Sequence, residues 1–216
     1  MGNQASFRDH AIVSCGTLVP ELNYLKESNF LDAKKILFTK PGRHESPPEL
    51  ESQLIRQIRH AKTHAEKVIV VYGGKFCYIN TDNPYRTIDT IIDEQGAGLS
   101  RIKAEYCVDM LASKEERDRI SGGKGENIYW FTPGWLLYRQ YAFQDRDKGF
   151  AIENFPKHKY AEGAGLLDGI GFYDKYCEEH AEELLEFSDW MELPILPYEI
   201  SLDRLKRLLL EAASEK

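Results

Sequence analysis

The chain has 216 residues, 42% of them hydrophobic, and a formal charge of −7 at pH 7. That length and apolar content suffice for one domain of the larger kind or two small ones, and the reading adopted is a single α/β domain over residues 1–216. The acidic balance argues against an electrostatic grip on phosphate backbones, so nucleic acid is not expected as a partner.

No run approaches the roughly 18 apolar residues of a membrane helix, and the N-terminus lacks the charged-then-apolar pattern of a secretory signal. The expectation is a soluble, cytoplasmic protein with no membrane partner. Met1-Gly2 with Ser6 fits the loose myristoylation pattern, but no basic patch accompanies it. Cys15, Cys77, Cys107 and Cys177 are too few for a disulfide framework in a chain this long, and a reducing cytosol leaves them as thiols.

Short apolar runs alternate with helical patterns from end to end. This is the signature of βαβ units, and it predicts a doubly wound, mainly parallel sheet of about five or six strands with helices on both faces. The strands are expected at "AIVS" (11–14), "KILF" (35–38), "VIVVY" (68–72), near "RIKAEY" (101–106) and at "IYWF" (128–131). A further one lies near "LPILP", where Pro194 and Pro197 confine it to a sheet edge.

Leu50, Leu54, Ile58, Ala61 and Ala65 recur three or four apart, so they share one helical face, with Pro47 and Pro48 marking its start. A stripe of Ile170, Tyr173, Cys177, Ala181 and Leu184 predicts another helix and makes Cys177 a core residue. The closing segment repeats the pattern with Leu202, Leu205, Leu208, Leu209 and Ala212, after Ser201 as N-cap. The glycine-bearing "GGKGEN" and "EGAGLLDGIG" read as turns or helix starts, and the longest irregular stretch is 144–165.

In an open α/β sheet, ligands bind beyond the carboxyl ends of the strands. Cys15, Cys77 and Cys107 each follow an expected strand, so a parallel sheet gathers all three on one edge. Thiolates are costly to gather unless a cation lies between them. Zinc with three protein ligands, or a four-iron (4Fe-4S) cluster held by three cysteines, would each keep one position open. The competing reading is that free cysteines pack near the core, since no local CxxC is present.

The residues around the thiols extend the expected site. Cys107 opens an apparent helix, "CVDMLASKEERDRI", whose first-turn amides would lower its pKa, and Asp109 in the same turn either orients a ligand or complements the helix dipole. Tyr72 and Gly73 form a sharp turn that allows close backbone approach to a ligand. In "FTPGW", Thr132 is a cap, Pro133 a first helical residue, and Gly134 and Trp135 continue towards the site, where Trp135 and Arg139 would close over a ligand. His44 and His158 lie in loops within reach, as weak candidates for a fourth ligand.

The combination "SCGTL", "YGGKFC", "RIKAEYCVDML", "IYWFTPGW" and "ENFP…LLDGIGFYD" resembles an uncharacterised domain-of-unknown-function family of anaerobic prokaryotes, along nearly the whole chain. The resemblance implies cysteine at the positions of Cys15, Cys77 and Cys107, and none at Cys177. It also implies company with corrinoid-dependent methyltransferases and hence a one-carbon context. The third site departs from the family's pattern: it reads "EYCVDML" where a histidine-aspartate-cysteine-like sequence is expected, so roles for those neighbours do not carry over.

The expected function is therefore a metal- or cluster-dependent enzyme or accessory protein of anaerobic methyl transfer. The cofactor would be a 4Fe-4S cluster, with zinc as the alternative, and a corrinoid protein or methyltransferase the partner. Two other readings stand beside it: a non-catalytic binding module for such a partner, and a metal-free thiol enzyme using Cys107 as nucleophile.

Overall fold

The computed structural model describes residues 6–42, 46–74, 77–80, 82–139 and 159–215. His44, His158 and the Met1-Gly2 start lie outside them. The first half opens β1 (His10–Cys15), a 3-10 turn (Gly16–Leu18), α1 (Val19–Glu27), β2 (Lys35–Thr39), α2 (Pro47–Lys62) and β3 (Lys67–Val71). It continues with α3 (Ile88–Asp93), β4 (Leu99–Arg101), α4 (Cys107–Leu111) and α5 (Lys114–Ile120). The second half holds β5 (Ile128–Phe131), α6 (Pro133–Leu137), β6 (Gly163–Asp168), α7 (Phe172–Met191), β7 (Ile195–Glu199) and α8 (Asp203–Ser214).

The protein is α/β, and the described strands pair in parallel. They divide between two sheets, β2-β1-β3-β4 and β5-β6-β7, so the five or six expected strands become seven in two sheets. Alternation along the central strands explains why helices cover both faces of the first sheet. Ala11, Val13, Val68 and Val70 face Leu50, Leu54, Ile58 and Ala61 of α2. Ile12, Ile69 and Val71 face the other way, into a cluster with Leu22 and Leu25 of α1, Leu205, Leu208 and Leu209 of α8, and Leu167 of β6. Each fully buried leucine or isoleucine contributes about 1.5–3 kcal/mol of transfer free energy.

The closing helix fits its expected apolar face, with Leu202, Leu205, Leu208, Leu209 and Ala212 all buried; its N-cap is Leu202, one position after the expected Ser201, whose Oγ nonetheless accepts the Asp203 N–H at 3.1 Å. β7 lies at the edge of its sheet, where Pro197 needs no ladder partner on the open side.

Four expectations are corrected. The strand near 101–106 is only Leu99–Arg101, because Arg101 turns its guanidinium onto the carbonyls of Tyr72, Ile102 and Ala104 and so satisfies a loop in place of a ladder. The helix after Cys107 breaks at Ala112, which is extended (φ −144°, ψ 131°), and restarts at Ser113 through a reciprocal capping box with Glu116. The "GAGLLD" segment, read as a turn, is the central and fully buried strand β6. Cys177 is half-buried, not core: of the expected stripe Tyr173 and Leu184 pack beside the buried Tyr176, Phe187 and Met191, but Ala181 is exposed, because the helix kinks at His180 (φ −141°, ψ 39°) and the stripe does not run through it.

Candidate metal centre

The carboxyl ends of β1 and β5 meet at this site. Cys15 is the last residue of β1, Cys77 follows β3, and Cys107 is the first residue of α4. All three line one cavity of about 750 Å³, with Thr17, Tyr72, Tyr106 and Trp135 among its walls. The parallel β1 and β3 with the loop after β4 therefore gather the three thiols as the strand pattern predicts.

Each of the three cysteines is half-buried as a residue. Burial pushes the Cys15 thiol up, against hydrogen bonds from the Thr17 hydroxyl (3.2 Å), the Thr17 N–H and the Tyr72 hydroxyl. Cys77 is driven up by burial and then by the charges that Cys107 and Cys15 would carry, while the Gly73 N–H and Arg101 pull it down. Cys107 is pushed up to about 11 by burial and by Cys15, against hydrogen bonds from Trp135, Thr17 and the Val108 N–H. The expected lowering of Cys107 at a helix terminus is thus overturned. α4 is a five-residue helix, and its amide contributes less than burial removes.

The flanking residues divide. Tyr72 is buried and hydrogen-bonds Thr39 as well as Cys15, and Trp135 lines the cavity and reaches the Cys107 thiol. Gly73 serves close approach, but to the chain itself: a Cβ there would stand 2.4 Å from the Glu105 carbonyl and 2.5 Å from Tyr106 Cα. Gly134 does the same against the Thr17 carbonyl at 2.2 Å. Thr132 makes no cap hydrogen bond. Its hydroxyl donates to the Thr17 carbonyl at 2.7 Å and ties β5 to the turn after Cys15.

Asp109 lines a separate cavity, and its carboxylate accepts from the Glu105 N–H (3.1 Å) and Arg204 (3.1 Å), so it braces the start of α4 against α8. Arg139 donates to the Leu136 carbonyl and the Tyr176 hydroxyl and pairs with Glu183, which holds it on α7 and away from the thiols.

Residues 38–209 match the family described as "Protein of unknown function (DUF1638)". The chain belongs to the DUF1638 family. No curated protein and no solved structure matches it. In this DUF1638 chain, Cys77, Cys107 and the Thr132–Trp135 turn fall within the matched residues and Cys15 precedes them.

The cavity includes residues that the sequence did not single out. Thr17 lies two positions after Cys15 and Tyr106 directly before Cys107, so proximity to the cysteines was the available signal. Arg117 sits in "KEERDR", which reads as a solvated charge run, yet it is buried. Glu21, in the first turn of α1, is fully buried, and its carboxyl has no partner beyond its own backbone N–H. Among the described residues no helix is long and apolar enough to cross a membrane.

Proposed function

We propose that this DUF1638 protein holds a 4Fe-4S cluster on Cys15, Cys77 and Cys107 and acts as an enzyme or accessory protein in anaerobic one-carbon metabolism. The observation that carries the metal reading is that three thiols from three strand ends line one cavity, buried and mutually repulsive when ionised. A cation bound among them offsets both the burial and the repulsion, so the donor set fits a soft metal or a cluster.

Among the described residues no three His, Cys, Asp or Glu side chains stand together as a group that could hold a metal ion. A mononuclear zinc would need its thiolates about 2.3 Å from a common point. Three cysteine ligands, and the anaerobic family that the resemblance points to, favour a four-iron cluster over zinc. When bound, it would supply an iron with an open position for a substrate atom. The chain's own part is to shape the cavity, to donate from Thr17, Tyr72 and Trp135 to the sulfurs, and to hold the Tyr106-Cys107 corner against Gly73. The one-carbon setting, and a corrinoid protein or methyltransferase as partner, rest on the family resemblance.

The test is elemental analysis and a visible spectrum of protein prepared without oxygen. The expected result is brown protein with about four irons per chain, lost in Cys15→Ser, Cys77→Ser and Cys107→Ser. Colourless protein with about one zinc would replace the cluster by zinc. Protein that carries neither metal would make the thiols packing residues.

A further inference from the structure

Arg117 is a buried cation that no carboxylate pairs with among the described residues. Its side chain is 5% exposed and lines the cysteine cavity. Both of its hydrogen-bond acceptors are neutral: Nη1 donates to the Ala112 carbonyl at 2.5 Å, and Nη2 donates to the Tyr106 hydroxyl at 2.6 Å. The guanidinium also sits over the Tyr106 ring, 5.4 Å from its centroid. Buried charges are normally paired, because desolvation disfavours a lone ion strongly. A guanidinium has five N–H donors, and two hydrogen bonds leave the greater part of the fork for another acceptor.

The surroundings point the same way. In a chain of net charge −7, the cavity wall carries Lys40, Lys114, Arg117 and Lys159 against Asp118 and Glu126. Lys114 and Glu126 neutralise each other at 2.7 Å, and Lys159 lies over the Tyr160 ring. An excess of positive charge in a low-dielectric cleft of an acidic protein concentrates anions there. A cavity of about 750 Å³ is of the size that takes a small organic molecule, and Tyr106, Trp130 and Trp135 supply flat apolar wall.

We propose that Arg117 binds the oxyanion head, carboxylate or phosphate, of an organic ligand in the cysteine cavity. Through Tyr106, the neighbour of Cys107, the head is held beside the thiols. The proposal rests on the metal-centre reading only in making this ligand the substrate. The binding itself needs no metal.

The probes are benzoate, phenyl phosphate and the neutral benzamide, titrated against the full chain and against the triple Cys15→Ser, Cys77→Ser, Cys107→Ser variant, with tryptophan fluorescence as the readout. At least one anion should bind ten-fold or more tightly than benzamide in both proteins, and the tighter anion identifies the head. Arg117→Gln should abolish that preference while leaving benzamide binding unchanged. Arg117→Lys, which keeps the charge but not the planar fork, should retain part of it. Equal binding of all three probes by the wild-type chain overturns the proposal, and this comparison decides the matter even if Arg117→Gln does not fold. Iron-loaded protein without anion preference would sink this proposal alone. Metal-free protein with an Arg117-dependent preference would sink the cluster alone.

Discussion

Thr132, buried at the end of β5, donates its hydroxyl to the carbonyl of Thr17, 2.7 Å away and 115 positions earlier in the chain. The bond joins the two sheets at the thiol site: Thr17 in turn donates to Cys15, and Gly134 lets the backbone after Thr132 approach the same carbonyl. Thr132→Val keeps the shape and removes the donor, leaving a buried carbonyl unsatisfied. The expected loss is about 1–3 kcal/mol in urea unfolding with an unchanged slope, and Thr132→Ser should restore most of it. A Thr132→Val protein as stable as wild type would mean that the sheets are held together elsewhere.

Neighbouring glycines should behave differently. A Cβ on Gly73 would meet rigid backbone at 2.4 Å, whereas one on Gly74 would meet the end of the Arg101 side chain at 3.3 Å, which can shift. Gly73→Ala is expected to destabilise by about 1–3 kcal/mol and to displace the Tyr106-Cys107 corner, with Gly74→Ala much milder. Thermal melts of the two variants check the order. Equal effects would show that the loop yields at both positions.

Metal-free Cys107 should be a slow nucleophile. With its thiol pushed up to about 11 by burial, only about one molecule in 10,000 carries the thiolate at pH 7. Alkylation by iodoacetamide, followed at the Cys107 peptide by mass spectrometry, should accelerate about ten-fold per pH unit from 7 to 10. Rapid modification at pH 7 would revive the metal-free thiol enzyme.

Much of this arrangement is legible in the sequence because β1, β2, β3 and α2 are locally consistent: apolar runs of strand length, and a helical stripe that begins at two prolines. Parallel pairing puts the chain after β1, β3 and β4 on one edge, and the loops after β3 and β4 then bring Cys77 and Cys107 to the cavity of Cys15. Strand β6 was hidden because its composition answers to its neighbours and not to strand propensity. A Cβ on Gly165 would stand 2.7 Å from the side chains of Ile128 and Trp130 on β5, so a glycine sits where a strand former is expected. The choice between the two readings of Asp109, and the place of Arg139, were closed to the sequence for another reason. Their partners, Arg204 and Glu183, are distant in sequence, and charged residues near a strand end look alike until those contacts are known. Arg117 was hidden by the charged run around it, since only the break at Ala112 turns that side chain inward to the cavity.

Glu21 gives the molecule a pH dependence of definite sign. Its carboxyl is fully buried with no partner beyond its own backbone N–H, and burial pushes it up to about 8 from 4.5, opposed by that N–H and helped by the charge of Asp168 nearby. Between those values the folded chain holds a proton that the unfolded chain has released. Stability contributed by the neutral acid is therefore complete below about pH 4.5 and is lost as pH rises towards and through about 8. The shift corresponds to roughly 4–5 kcal/mol across that window. Asp168 itself accepts the N–H groups of Ile170, Phe172 and Tyr173, so it is committed to the start of α7. Glu21→Gln, which cannot ionise, should remove the downward slope between pH 5 and 8 and leave the mutant more stable than wild type at pH 9. Urea unfolding of both proteins across that range is the measurement. A wild-type stability that rises or stays level from pH 5 to 8, with Glu21→Gln parallel to it, would show that the carboxyl ionises freely in the folded chain.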